Sequence, residues 1–152
     1  MHIHLQPIAT VKNNRDKLID DFWGDVISEI TLLPPIPDQA FDRIEDFSHL
    51  EIIYYFDQVQ ESKIVFSGRP RGNPDWPETG IFAQRKKDRP NQIGLCTVEL
   101  VERSGNTIKV KYLDAINNTP VLDIKPVFKE FSRETSIRQP EWVGQLMSNY
   151  WK

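Results

Sequence analysis

The sequence predicts a mainly β protein: a small closed or partly closed antiparallel β-barrel with one C-terminal helix. Three observations lead there. Apolar residues alternate with polar ones in several short runs, the period of half-buried strands. The chain of 152 residues holds eleven prolines against seven glycines, which favours rigid loops over long helices. Helical spacing is clear only near the end, where Trp142, Leu146 and Tyr150 recur four residues apart with Met147 beside them.

In chain order, residues 6–12 alternate and read as a first strand. Residues 13–21 are polar and read as a loop. Val26, Ser28, Ile30 and Leu32 share one face of a second strand, and Leu33-Pro34-Pro35-Ile36-Pro37 stops it, because proline donates nothing to a ladder. Asp38 is placed to cap a short helix with Phe41 and Ile44 on one side. Residues 50–59 are rich in Ile, Tyr, Phe and Val and read as a buried strand. Residues 67–79 carry Gly68, Pro70, Gly72, Pro74 and Pro77 and read as a long loop, a sign of function or mobility in a compact domain. Residues 93–102 and 107–112 form two strands joined around Ser104-Gly105-Asn106, and residues 121–125 form another. Pro140 suits the first turn of a helix over about 139–151 that packs on the barrel or on a second copy. With no internal repeat, residues 1–152 read as a single domain.

Hydrophobic residues make up 39% and charged residues 27%, ordinary for a globular chain, and no apolar run is long enough for a membrane-spanning helix. The N-terminus lacks the pattern of a secretory signal, and the single cysteine, Cys96, fits a reducing cytoplasm. Net charge is −3, but it is unevenly spread. Between residues 69 and 89 stand six cations, Arg69, Arg71, Arg85, Lys86, Lys87 and Arg89, against the three anions Asp75, Glu78 and Asp88. Such a patch can engage phosphates, or can simply keep a loop soluble.

Several chemistries find no support. Cys96 shares a strand face with Val98 and Leu100 and reads as a buried thiol, not a nucleophile. His2 and His4 have no further ligands near them, so no metal site is expected. Gly68 and Gly72 do not precede a Lys-Ser or Lys-Thr pair, and no G-x-G-x-x-G follows a strand, so neither a P-loop nor a dinucleotide fingerprint is present.

Two stretches are more informative: GIFAQRKKDRPNQIGL at residues 80–95 and LDAINNTPVLDIKP at residues 113–126. Each sets charge, Pro, Asn and Gly among apolar residues, as a loop does when it must hold one shape around a ligand. Together they resemble the signature of the TsaA-like, or TrmO, family, whose pattern looks like GVFATRSPxRPNPIGL followed by LDxxDGTPVLDIKPY. The entry Phe47-Ser48-His49-Leu50 is also similar to the family's. The resemblance spans roughly residues 7–127. Lys86-Lys87 stands where the pattern has Ser-Pro, Asn117-Asn118 stands where it has Asp-Gly, and the Pro-Arg-Gln loop of many relatives is not found in residues 13–24.

The resemblance implies a small β-barrel methyltransferase, commonly a dimer, that uses S-adenosyl-L-methionine on the N6 nitrogen of a modified adenosine in the tRNA anticodon loop. Carried over by position, Arg85, Ile93, Gly94 and Leu95 would hold the adenosyl part, with Gly94 permitting close approach. Thr119, Pro120, Asp123, Lys125 and Pro126 would form a second wall, with Asp57 and Gln58 near the cofactor. Arg85, Lys86, Lys87 and Arg89 would meet RNA phosphates, and Trp76 or Phe82 would stack on a base. Alternatively Arg85 and Arg89 are internal and only the lysines face solvent. Asp114 or Asp123 could steer the acceptor, or both could hold loops. No catalytic residue is assigned firmly. Alternative readings are the same fold methylating another RNA or a small molecule, and a non-catalytic nucleoside-binding module.

Overall fold

The computed structural model describes residues 1–131 and 136–152. Eight strands appear in order: β1 (Ala9–Lys12), β2 (Ile27–Leu32), β3 (His49–Tyr55), β4 (Ser67–Gly68), β5 (Thr79–Gly80), β6 (Ile93–Ser104), β7 (Thr107–Lys111) and β8 (Pro120–Pro126). Six of them close an antiparallel barrel in the order β1-β2-β7-β6-β3-β8, and β4 and β5 pair as a two-stranded ladder inside the long loop. Among the described residues one α-helix follows, α1 (Glu141–Met147).

The alternation in the sequence is the inside and outside of this barrel. Ser28, Ile30 and Leu32 of β2, Leu50, Ile52 and Tyr54 of β3, and Ile108 and Val110 of β7 all point inward and are buried. With Val11, Val98, Leu113 and Val121 they fill one core, each large side chain contributing about 1.5–3 kcal/mol by leaving water. The β6–β7 hairpin turns through Gly105 and Asn106, with Gly105 at φ 59 supplying the left-handed position that such a turn needs. The ladder between β3 and β8 slips once: Ile53 faces Asp123 but Tyr54 faces Val121, so Leu122 is an extra residue.

Three expectations are adjusted. The apolar run from residue 50 leaves the sheet at Tyr55, where Asp57 folds back onto the Tyr55 carbonyl. The segment after the proline run forms two 3-10 turns, Asp38–Phe41 and Ile44–Asp46. Pro37, not Asp38, stands at the cap position, without a side-chain bond. What fixes these turns is Arg103, whose guanidinium donates to the carbonyls of Asp38 and Phe41. Finally, α1 is shorter than 139–151. Pro140 is extended at its N-cap, and the chain continues as turns through Trp151.

The C-terminal segment packs on its own barrel as a strap. Phe22 and Trp23 donate backbone N–H groups to the carbonyls of Asn149 and Tyr150. Trp76, in the long loop, donates its indole N–H to Gln145 and lies 6.1 Å from the Trp142 ring. Gly24 has no room for a side chain, because a Cβ there would sit 2.1 Å from the Trp151 carbonyl oxygen.

Candidate functional site

The outer face of β6, β3 and β8 gathers most of the expected cofactor residues. Its registers align in rows. Leu95 faces Ile53, which faces Asp123, and Thr97 faces Glu51, which faces Lys125. Ile93 faces Tyr55, and Pro120 directly precedes Val121, the residue that faces Tyr54 at the end of the β3–β8 ladder. At strand spacings near 4.8 Å, Leu95 and Asp123 stand about 10 Å apart with Ile53 between them.

The β6 backbone adds a polar edge to this face. Phe56 donates to the Gln92 carbonyl and Leu100 to that of Ser48, so in the same register Tyr54/Gly94 and Ile52/Cys96 are the hydrogen-bonded pairs with β3. The N–H and C=O groups of Ile93, Leu95 and Thr97 therefore point away from β3. On that side the ladder to β7 begins only at Glu99. The Arg85 guanidinium donates to the Leu95 carbonyl there, which joins two of the expected residues directly.

Asp57 and Gln58 sit at the rim of the same face. The buried Gln92 holds them there: its side chain donates to the Val59 carbonyl at 2.7 Å and accepts the Tyr55 hydroxyl, while its backbone carbonyl takes the Phe56 N–H. Asp123 is half-buried. One of its oxygens accepts from the Ile124 N–H and the other pairs with Lys125 at 2.5 Å. That hydrogen bond, with the charge of Asp123, raises the exposed Lys125 ammonium above its ordinary pKa.

Other expected residues stand elsewhere. Gly94 faces inward, and a Cβ there would meet the Tyr54 ring at 2.4 Å, so the missing side chain makes room for that ring and not for a ligand. Thr119 is buried, its carbonyl taken by the Val11 N–H, and contributes no side chain to the outer wall. Pro126 pairs with Leu50 and lines, with Asp123 and Ile124, a separate cleft of about 610 Å³ beneath the 3-10 turns. That cleft takes none of Arg85, Ile93, Leu95 or Asp57.

Asp114 belongs to the barrel end. Its two carboxylate oxygens accept the Tyr54 hydroxyl at 2.7 Å and the Tyr150 hydroxyl at 2.6 Å. Burial first, and then the Asp114 charge, raise both phenols above their ordinary pKa. Cys96 is buried beside them and donates to the Tyr112 carbonyl, and burial holds its thiol well above the ordinary range. Of the two aspartates expected near the acceptor, Asp123 is thus the one on the outer face. Among the described residues no cluster of three or more His, Cys, Asp or Glu could hold a metal ion, and no helix is long and apolar enough to cross a membrane.

The basic stretch divides. Arg89 is half-buried and donates to the Gln84 carbonyl, an internal brace. Lys86 pairs with Asp88 at 3.2 Å, and Lys87 has no ion-pair partner among the described residues. Trp76 is held by the strap, whereas Phe82 is 82% exposed. Sequence reasoning missed Ile53 as part of the face. The signal was present: an antiparallel strand apolar on both faces, as Leu50 to Tyr55 is, needs a cover on its outer side.

The purine edge of an adenosyl group needs donors and acceptors, and its faces need apolar contact. The Leu95 backbone edge, turned away from β3, and the side chains of Ile93, Leu95 and Ile53 offer both, so these residues fit such a group. The family model described as the tRNA-methyltransferase O N-terminal domain matches residues 21–133. An Archaeoglobus fulgidus protein named S-adenosyl-L-methionine-binding protein is 35% identical over 125 residues, covering 80% of this chain and 86% of its own. A human tRNA (adenine(37)-N6)-methyltransferase is 32% identical over 113 residues, 74% of this chain and 25% of that protein. The crystal structure of TrmO from Pseudomonas aeruginosa superposes with a TM-score of 0.74 at 25% identity, covering 91% of this chain and 61% of that one.

Proposed function

The chain belongs to the tRNA-methyltransferase O N-terminal domain family, and from that membership we infer that it is an S-adenosylmethionine-dependent methyltransferase acting on tRNA. Its acceptor, on this reading, is the N6 nitrogen of a modified adenosine in the anticodon loop. The observation that carries the reading is the outward row Leu95–Ile53–Asp123, flanked by the Leu95 backbone edge that points away from β3 and by Arg85, which donates to the Leu95 carbonyl.

When bound, the cofactor supplies an activated methyl group on a sulfonium. The chain's residues then have three tasks. Leu95 and Ile93 grip the adenosyl part through backbone edge and side chain. Arg85, Asp57 and Gln58 close the rim. Asp123, held by Lys125 and the Ile124 N–H, orients the acceptor amine and receives its proton. In-line transfer between aligned atoms needs alignment and exclusion of water more than a strong base. Ile93 and Leu95 are 36% and 43% exposed, so the face is shallow in one copy, and a second copy closing it as a homodimer would shut out that water. The buried, unpaired Cys96 accords with a reducing cytoplasm. Residues 1–152 act as one domain on this reading, since the strap docks on the barrel.

One observation favours a different acceptor, another RNA or a small molecule. Residues 13–24 are folded around Arg15, which donates to the carbonyls of Ile19, Asp21 and Phe22, and they lie under the strap. That stretch is committed to the fold and not free to wrap a bound donor and the acceptor beside it, so the acceptor is held differently from that of relatives with the Pro-Arg-Gln loop. The test is methylation of bulk tRNA followed by nucleoside mass spectrometry. A methylated N6 on the modified adenosine supports the main reading, and methyl transfer to another nucleoside or a small molecule supports the second. Calorimetric binding of S-adenosylmethionine with no transfer would reduce the protein to a nucleoside-binding module.

A further inference from the structure

Two large apolar rings stand almost free of the protein next to the basic stretch: Phe66 is 75% exposed and Phe82 is 82% exposed. Single exposed apolar residues need no explanation, but these two share one rigid support. The Ile81 N–H donates to the Phe66 carbonyl at 2.9 Å, one step beyond the Ser67↔Gly80 pair of the β4–β5 ladder. The Val65 N–H donates to the Asp88 carbonyl, so Phe66 is pinned between the turn that carries Phe82 and the loop that carries the lysines. Inside, Gln84 braces the unit: its buried amide donates to the carbonyls of Gly68 and Thr79. Ile81 points into the protein at 2% exposure, which leaves the adjacent Phe82 turned to solvent.

The electrostatic setting selects the occupant. Residues 80–89 carry Arg85, Lys86, Lys87 and Arg89 against Asp88 alone, in a chain whose net charge is −3. A hydrophobic protein partner would gain nothing from that charge. A single-stranded polyanion with unstacked bases gains from both the cations and the rings. We propose that Phe66 and Phe82 form a base-stacking platform on which a splayed, single-stranded RNA segment docks beside Arg85 and the outer face of β6. The inference rests on the RNA reading above and names how the acceptor strand is held. Because every base has a π-face, the platform supplies affinity and placement with little sequence preference.

The experiment measures binding of bulk tRNA to the full chain by fluorescence anisotropy across a salt series. The proteins are wild type, Phe66→Ala, Phe82→Ala, Phe82→Leu, Phe82→Trp and, as a control on an equally exposed ring near the opposite end of β3, Phe131→Ala. Each Phe→Ala change weakens binding by about tenfold with the salt slope unchanged, since stacking releases no counterions. Phe82→Leu behaves like Ala because it keeps apolarity and loses the π-face. Phe82→Trp retains wild-type affinity, and Phe131→Ala is silent. Wild-type binding with undiminished affinity in both Ala variants overturns the platform and leaves the RNA reading standing. Failure of the wild type to bind any tRNA overturns the RNA reading, and the platform with it. Loss of a dimer by light scattering in the Phe→Ala variants, with RNA affinity kept, assigns the rings to a protein contact instead.

Discussion

Asp114 accepts two tyrosine hydroxyls, and that single carboxylate ties the C-terminal segment to the barrel floor. Removing one bond by Tyr150→Phe is expected to cost about 1–2 kcal/mol in urea unfolding. The pH dependence has a definite sign. Tyr54 and Tyr150 hold their protons in the folded state to higher pH than the ordinary 10.0. Above that value the unfolded chain binds fewer protons than the folded one, so stability falls as pH rises past about 10. Below pH 9 these two groups contribute a flat profile, and Tyr150→Phe shallows the alkaline fall. A second residue-scale expectation concerns Gly94. Gly94→Ala drives a methyl into the Tyr54 ring and should destabilise by about 1–3 kcal/mol, read from the thermal midpoint. That role was not legible beforehand. The sequence marks Gly94 as special without saying which neighbour needs the space, because the neighbour comes from β3, forty residues away.

Among the elements, the strands were the most legible and the strap the least. Ser28, Ile30 and Leu32 alternate with polar residues, and period two survives any tertiary context that buries one face. The Gly105-Asn106 turn is equally local. By contrast, Trp142, Leu146 and Tyr150 advertise a helix, yet only seven residues are helical. Trp142 and Gln145 of the helix meet Trp76, and Tyr150 in the turns beyond it meets Trp23 and Asp114, contacts no local pattern encodes. The expected site was half legible for the same reason. Leu95 and Asp123 lie in recognisable stretches, whereas Ile53, which joins them, sits in a run that reads simply as buried. Trp142→Ala is expected to release the long loop. Amide exchange in residues 69–79 should accelerate by about tenfold while β2, β6 and β7 stay protected.

For the whole molecule, the charge distribution separates the phosphate contacts proposed for the lysines from the stacking proposed for the exposed rings. Replacing Lys86 and Lys87 by Ala should lower the slope of log affinity against log salt by about one per lost phosphate contact. The smaller share falls to Lys86, which already pairs with Asp88. An unchanged slope would take both lysines out of the interface. Ile53→Glu places a charge in the middle of the outer row and should weaken S-adenosylmethionine binding in calorimetry by at least about tenfold, with the melting temperature near that of wild type. The extra residue in β8 carries a last consequence. Leu122 is one unit of slack that lets Val121 stay inside while Asp123 and Lys125 look out. Were Leu122 paired regularly into the ladder, alternation would put Val121 and Asp123 on the same side, forcing either Val121 into water or the carboxylate and ammonium into the apolar interior. A strand straightened there with every residue kept could hold its core or its outer face, but not both, whereas a chain lacking Leu122 would set Val121 directly before Asp123 and keep each on its own side.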